Sequence, residues 1–492
     1  MEAKTEKKTR ISKDLVPVVA SKRTTGGMGY FNMWIGLSII IATFAVGGEG
    51  IQQMQLLYVL LACLIGNILL GGFISITGDI GIEHGISFPV YIKALFGAKG
   101  IIIPSILRAI YGAVWFGIQT YFGATAINVI VSSLIGLDAW WIWYIVFAVV
   151  QIVNTAMGFK AIAKFANFAA PTILIIAVYM LINLNGQASA GGIDLWNSIS
   201  VDGVVQAAPS FTWNAFFVLM IMNMTYWASS SADAQNLTRY LRAPVNEKNW
   251  FKRNKAALFG HLLALPIGQT FMIAVGAISL LVVGNYNPIE AMQSMASGIL
   301  LVVLLLMIVC AQWSTNAGGN LLPPSIVIVD LSHSRISYPI AVVITGVVGS
   351  VFMPWQLMAD GTFSTFLAII GTLWASFAGL SLADYYLIRK RKLNVPDLYK
   401  RDGGQFAYMK GWNWAGIITL VISMVVGFFL QELSYFIGFI VSAVLYYVLA
   451  KFWWFKKYEQ AEMKDTQDKY RGITVGRDWE YDEENNLIYP SK

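Results

Sequence analysis

The sequence predicts an all-α membrane protein of twelve transmembrane helices, and three observations carry that prediction. The 492 residues are 57% hydrophobic and only 12% charged, against roughly 25% charged in soluble domains, so the outer surface must face lipid. Apolar runs of about 20 residues, each long enough to cross some 30 Å of hydrocarbon as a helix, recur from end to end. Lysine and arginine gather in alternate loops. The pattern is continuous, which implies one membrane domain over residues 29–455 between polar tails of 1–28 and 456–492.

The spans fall at about 29–53, 55–78, 102–133, 139–158, 167–185, 209–232, 257–284, 293–321, 337–354, 362–387, 412–431 and 434–455. With the amino terminus inside, the inner loops and tails hold Lys4 to Arg23, Lys93 and Lys99, Lys160 and Lys164, Arg239 to Lys255, Arg335, Arg389 to Lys410 and the tail from Lys451. Arg108 lies in the first turns of span three, on the same side. The outer loops carry Asp138, Asp194, Asp202, Glu290, Asp360 and Glu432, and no basic residue. This is the positive-inside pattern, and it predicts a multi-pass cell-membrane protein with both termini in the cytoplasm. The net charge of +7 therefore reports topology and an anionic inner leaflet, not nucleic acid.

The first 25 residues are polar and show no cleavable signal. Cys63 and Cys310 lie in apolar segments, and His84, His261 and His333 have no ligand spacing, so neither a disulfide framework, a metal cluster nor a bound cofactor is expected. No Ser-His-Asp, Cys-His or paired-carboxylate set can be assembled on one membrane face, which argues against an enzyme.

Helix-breaking residues cluster in a few spans. Span one contains Gly36, Ala42-Thr43 and Gly47-Gly48; span six runs into Ala228 to Asp233; span eight contains Ser314 to Asn320 and ends at Pro323-Pro324. Unwound backbone survives at membrane depth only where protein or a water-filled cavity satisfies it. Interruptions at matching positions of two halves point to a transporter built on inverted repeats. Spans one and six are five apart, as are three and eight. The expected architecture is a five-plus-five repeat, 29–185 and 209–387, with extra helices in 412–455. The competing reading is that small residues merely allow close helix packing, and it is the one applied to Gly66, Gly71 and Gly346. The stretch from Gly186 to Ala208, rich in Gly, Ser and Asp, reads as a long outer loop.

Trp115 and Gln119 in span three are four residues apart and share a helix face. An indole with an amide one turn away can stack on a flat heterocycle and hydrogen-bond its edge. A membrane tryptophan is otherwise an interfacial belt residue, which suits Trp140, Trp141, Trp143, Trp453 and Trp454 at span ends. In span six, Trp227 is followed by Asp233 and Asn236. A carboxylate near the bilayer interior costs a few kcal/mol, so Asp233 implies a cavity, partner or ion, or else a position at the cytoplasmic mouth beside Arg239 or Lys255. In span eight, Ser314 and Thr315 either complete an oxygen cage for sodium with span one carbonyls or back-bond to their own helix. Asn320 can present an amide to a substrate.

These residues resemble the first nucleobase:cation symporter family, the permeases for cytosine, uracil, purines, allantoin and hydantoins. The resemblance runs from Asp14-Leu15-Val16-Pro17 to Asp397-Leu398-Tyr399. Its markers are Gly85 to Val90, Trp115 to Thr120, Tyr226-Trp227-Ala228, Ser314 to Asn320 and Ala383 to Arg391. It implies a leucine-transporter-type fold with spans one and six broken, and alternating access. It implies that Trp115 stacks on and Gln119 bonds a planar substrate, that Trp227 covers its other face, and that Asn320 bonds its edge. In sodium-coupled members the ion sits between positions matched here by Ser38, Ile41, Ala311, Ser314 and Thr315; both hydroxyls are present, which favours sodium over a proton as coupling ion.

Two departures stand out. Some relatives carry Gln or Pro where this chain has Ala42, so a substrate contact or a rigid kink is missing. The family commonly places Asn and then Asp after the span six tryptophan, where this chain has Asp233 and then Asn236. The expectation is that these two face one another or share a partner, in a gating or coupling role. The sequence thus predicts import of a planar heterocycle with a cation; an amino acid or amine transporter on the same fold, a channel and a receptor are the alternatives.

Overall fold

Hydrocarbon offers no hydrogen bonds, so each span must pair its own backbone, and helix occupies every predicted span. The computed structural model describes residues 11, 15–157, 159–332, 335–359, 362–400 and 404–490, without the side chains of 159–170, 330, 358–359 and 362–364. The basic residues from Lys4 to Arg10, Lys13, Asp14, the Lys160 and Lys164 side chains, His333, Asp360 and Arg401 lie outside the described residues.

Among the described residues, 7 helices are long and apolar enough to cross a membrane, including Leu56–His84, Ile102–Ile135, Lys255–Val283 and Gly298–Val329. Gly27–Ser38 and Ile41–Ile51 make one further span, bent by 60°. Trp140–Ala156, Tyr338–Val351 and Trp414–Phe429 are shorter apolar helices at predicted spans four, nine and eleven. Span six is divided into Trp213–Tyr226, Ala228–Asp233 and Gln235–Thr238.

The interruptions do not coincide with the glycines. In span one, Ile39 (φ −83°, ψ 81°) and Ile40 (φ −121°, ψ 132°) leave helical geometry. The Thr43 hydroxyl then donates to the Ile40 carbonyl at 2.6 Å, and the Ser38 hydroxyl to the Ile35 carbonyl at 3.0 Å. Short hydroxyl side chains thus serve carbonyls at the break. Gly47 and Gly48 lie inside the helix Phe44–Ile51. A Cβ on Gly47 would stand 2.1 Å from the Ile273 carbonyl oxygen, and one on Gly276 2.4 Å from the backbone of Phe44. These two glycines let spans one and seven meet backbone to backbone. Gly66, Gly71 and Gly346 serve packing too, each lying within 2.9 Å, 2.2 Å and 2.4 Å of a neighbouring helix if given a Cβ.

Span six breaks at Trp227 (φ −110°, ψ 14°), one residue before the small-residue run. The Ser314 to Asn320 stretch stays helical. It closes the α-helix Gly298–Asn316 and forms a π-helical turn, Ala317–Leu321, ahead of Leu322–Leu331. A wide turn of this kind is a common device at functional sites.

Two polar segments are more ordered than their composition implies. Span five continues to Gly191, and the rest of the expected loop pairs Ser198–Val201 antiparallel with Val204–Ala207. The C-terminal segment lies as a strap on the face that holds the N-terminal segment. Ala20 N–H donates to Asp478 Oδ2 at 2.5 Å and Ile11 N–H to Asn486 Oδ1 at 2.9 Å, so both termini share a face. Arg389 pairs with Asp384 at 2.8 Å and also with Glu462 of the strap. Burial pushes the Glu462 carboxyl up from its ordinary value, against the opposing pull of Arg389.

The strap also reaches the end of span two. The Thr474 hydroxyl donates to Glu83, and Arg253 Nη1 donates to Thr474 Oγ1 at 2.9 Å. Arg253 is fully buried, 2.6 Å from Asp79 and 3.3 Å from Glu83. Removing the cation would leave two buried carboxylates facing one another. Arg253→Met is therefore expected to lose about 3–5 kcal/mol of stability, read as a lower thermal unfolding midpoint of the purified protein.

Candidate functional site

Span three carries the expected stacking platform, Trp115 with Gln119. Trp115 and Gln119 are 6% and 5% exposed and lie on one face of the helix Ile102–Ile135. The Trp115 ring is tilted against Tyr226 (centroids 5.9 Å) and Phe366 (6.4 Å), with Tyr111 edge-on at 6.4 Å. Gln119 Oε1 accepts from the Thr315 hydroxyl at 3.1 Å, which ties the platform to span eight. Thr315 also back-bonds to the Ala311 carbonyl at 3.0 Å. One hydroxyl proton is thus divided between its own helix and the platform amide.

A separate chain of amides runs between the same two helices. Asn320 Nδ2 donates to Asn316 Oδ1 at 3.0 Å. Asn316 Nδ2 donates to Gln151 Oε1 (2.9 Å), the Phe116 carbonyl (3.1 Å) and Thr120 Oγ1 (3.2 Å). Gln151 Nε2 donates to Thr120 Oγ1 at 3.2 Å. Asn316 and Gln151 are fully buried, so the network locks spans three, four and eight together. Sequence reasoning missed both. The signals were there: Asn316 precedes Asn320 by one turn, and Gln151 is an amide within apolar span four.

The break of span one meets span six directly. The Tyr226 hydroxyl donates to the Ala42 carbonyl at 2.9 Å. Ile41 and Ala42 also line a cavity of about 320 Å³ that reaches Tyr121, Asn285, Asn287 and Trp355, away from the face with the termini. Ser38 is fully buried, against Gly268 of span seven, where a Cβ would lie 2.0 Å from the Ser38 hydroxyl. Ser314 is buried on span eight, and Ala311 is fully buried.

Trp227 caps the first half of span six, and its ring meets Trp34 edge-on at 5.7 Å. Trp34 in turn packs on His261 at 5.0 Å. The Tyr30 hydroxyl is 2.8 Å from His261 Nε2, and the Ser75 hydroxyl 2.9 Å from Nδ1. The Trp227 indole N–H is buried without a hydrogen-bond partner among the described residues.

Among the described residues, Asp233 and Asn236 bond neither one another nor a common group. Asp233 pairs with Arg108 of span three at 3.2 Å, and the Arg108 guanidinium stands over Tyr111 and Trp374. Asn236 Oδ1 accepts from Phe88 N–H at 3.0 Å, at the start of the helix Phe88–Phe96. Their helix carries them apart: three residues along, with a break at Ala234, the two side chains reach different neighbours. The Arg239 and Lys255 partners expected for Asp233 give way to Arg108.

A polytopic helical bundle with two interrupted spans beside a buried cluster of aromatic and amide side chains is an architecture of membrane transporters. The chain belongs to the family described as permeases for cytosine/purines, uracil, thiamine and allantoin, whose model matches residues 17–454. It is 26% identical over 476 residues to the hydantoin permease of Microbacterium maritypicum, covering 95% of this chain and 94% of that one. It is 24% identical over 489 residues to the allantoin permease of Bacillus subtilis (strain 168), covering 89% of this chain and 93% of that one. Among solved structures, a nucleobase-cation-symport-1 family transporter in a closed conformation with bromovinylhydantoin bound superposes with a TM-score of 0.80 at 24% identity, covering 93% of this chain and 98% of that one. The fold is therefore the leucine-transporter type that the family resemblance implied.

Because Asp233 and Asn236 have separate partners, exchanging them cannot restore the lost ion pair. Substrate uptake into proteoliposomes is expected to fall at least five-fold in D233N and to stay low in the D233N/N236D double variant. Recovery in the double variant would contradict the geometry.

Proposed function

We propose that the protein is a secondary active transporter that imports a nucleobase-like planar heterocycle with a cation, sodium, by alternating access. The observation that carries this reading is the Trp115 and Gln119 pair: a flat indole beside an amide, both buried, the ring against Tyr226 of span six and the amide bonded to Thr315 of span eight. An aromatic ring stacked on indole gains about 0.5–1.5 kcal/mol beyond area burial. The Gln119 amide adds directional bonding to the polar ring edge. The names of the relatives, hydantoin permease and allantoin permease, fit a ligand of that shape. In this reading Trp227 closes the second face and Asn320 bonds the edge through its carbonyl oxygen, its amide N–H being held by Asn316.

The coupling ion takes the Ser38 and Ile41 carbonyls at the break of span one, with Ala311, Ser314 and Thr315 of span eight. Span one offers carbonyls freed from regular helix, and hard cations prefer oxygen ligands of this kind. Ion and substrate then favour the same occluded state, each raising the affinity of the other.

The positive-inside pattern supports an orientation with both termini and the Arg108–Asp233 pair on the cytoplasmic side. The cavity at Ala42 then opens outward, and the ion pair joins span three to span six across the inner exit. Its separation accompanies inward opening.

Tryptophan fluorescence of the purified protein, titrated with nucleobases, allantoin and hydantoins with and without sodium, tests the reading. Saturable quenching by one of them, strengthened by sodium and lost in W115A, is the expected result. Absence of any response from folded protein would redirect the search to amines, amino acids or a receptor role.

A further inference from the structure

We propose that the Tyr226 hydroxyl is the mechanical link between the substrate pocket and the cation half-site, making Tyr226 a positioning residue for coupled transport. The inference rests on the sodium reading of Ser38 and Ile41 given above. It begins from carbonyl accounting at the break of span one. The Ser38 carbonyl accepts from Ile40 N–H at 3.1 Å, and the Ile40 carbonyl accepts from Thr43 N–H at 3.2 Å and from the Thr43 hydroxyl at 2.6 Å. These donors all belong to span one. The Phe44 N–H, also of span one, is shared by the Ile41 and Ala42 carbonyls; the Ala42 carbonyl differs in accepting, besides this, a side-chain hydroxyl from span six, at 2.9 Å. Ala42 brings only a methyl group of its own to the break, so the polar tie comes from the opposite helix.

Tyr226 is placed to carry information both ways. It is the last helical residue before the span six break at Trp227. Its ring lies 5.9 Å from Trp115, the proposed stacking platform, while its hydroxyl holds the peptide next to Ile41, the proposed ion ligand. Both ends of the contact are buried, with Tyr226 6% and Ala42 4% exposed. A phenol is rigid from Cβ to oxygen, with two rotatable bonds, so its ring cannot shift without moving its hydroxyl. A heterocycle seated on Trp115 fixes the ring, the ring fixes the Ala42 carbonyl, and the adjoining Ile41 carbonyl is held in place for the cation. By linkage, a cation held at Ile41 fixes the ring in return.

Tyr226→Phe keeps the ring and removes the tie. Heterocycle affinity of purified Y226F is measured by tryptophan fluorescence with and without sodium, and sodium affinity by calorimetry with and without the heterocycle. Without sodium, the heterocycle affinity of Y226F is expected within about two-fold of wild type. The gain conferred by sodium is expected to shrink at least five-fold, and the reciprocal gain in sodium affinity by the same factor. A purely structural role would lower both affinities or the unfolding midpoint without changing their ratio. Incorporation of 3-fluorotyrosine at 226, which keeps the donor and the shape, is expected to retain the gain and so separates the hydroxyl from folding. If wild type is coupled and Y226F is coupled to the same extent, the link is overturned while the sodium reading stands. If wild-type affinity is indifferent to sodium, the sodium reading falls and the link with it.

Discussion

Everything in this structure answers to one constraint: inside hydrocarbon a backbone polar group has no water to fall back on. Continuous helices meet it alone, but an interrupted helix must find partners in other segments. Span one stops being helical at Ile39 and Ile40, and the break is held by hydroxyls from Ser38, Thr43 and Tyr226. The break of span six at Trp227 stands beside it, with the neighbouring Tyr226 reaching Ala42. The proposed site lies near the meeting of the two interruptions, where backbone and polar side chains are both present at depth.

The same constraint explains the two amide networks. Asn316, Gln151 and Thr120 satisfy one another among spans three, four and eight. Asn223, held between Asn67 at 3.0 Å and Gln269 at 2.8 Å, does the same for spans two, six and seven. In lipid, helix association gains little from burying apolar surface, and packing of small residues plus interhelical hydrogen bonds takes its place. The first network joins helices around Trp115, and the second joins helices around the span six break. The Gln119–Thr315 and Tyr226–Ala42 bonds sit close to these two groups of helices, so the candidate site lies among well-braced surroundings.

Charge follows a related rule on the face that carries the termini. Arg253 and Arg389 are fully buried, each between carboxylates, and the C-terminal strap completes both clusters through Thr474 and Glu462. A buried charge without a partner is costly, so this tail is part of the folded unit. Its polar composition alone reads as a solvated end.

The chain's own pattern was enough to show that apolar helices recur along the chain, that spans one and six are interrupted, and that Trp115 and Gln119 share a face, because these properties are local: hydropathy over one helix length and spacing over one turn. It did not separate the break of span one, at Ile39 and Ile40, from Gly47-Gly48 in the same span, whose glycines are a packing surface against span seven. Nor did it name the partner of Asp233, the joining of Asn316 to Gln151, or the reach of Tyr226 to Ala42. Those contacts connect residues separated by 125, 165 and 184 positions. Periodicity specifies which face of a helix is buried; only the assembled bundle decides which distant group stands close enough to satisfy it.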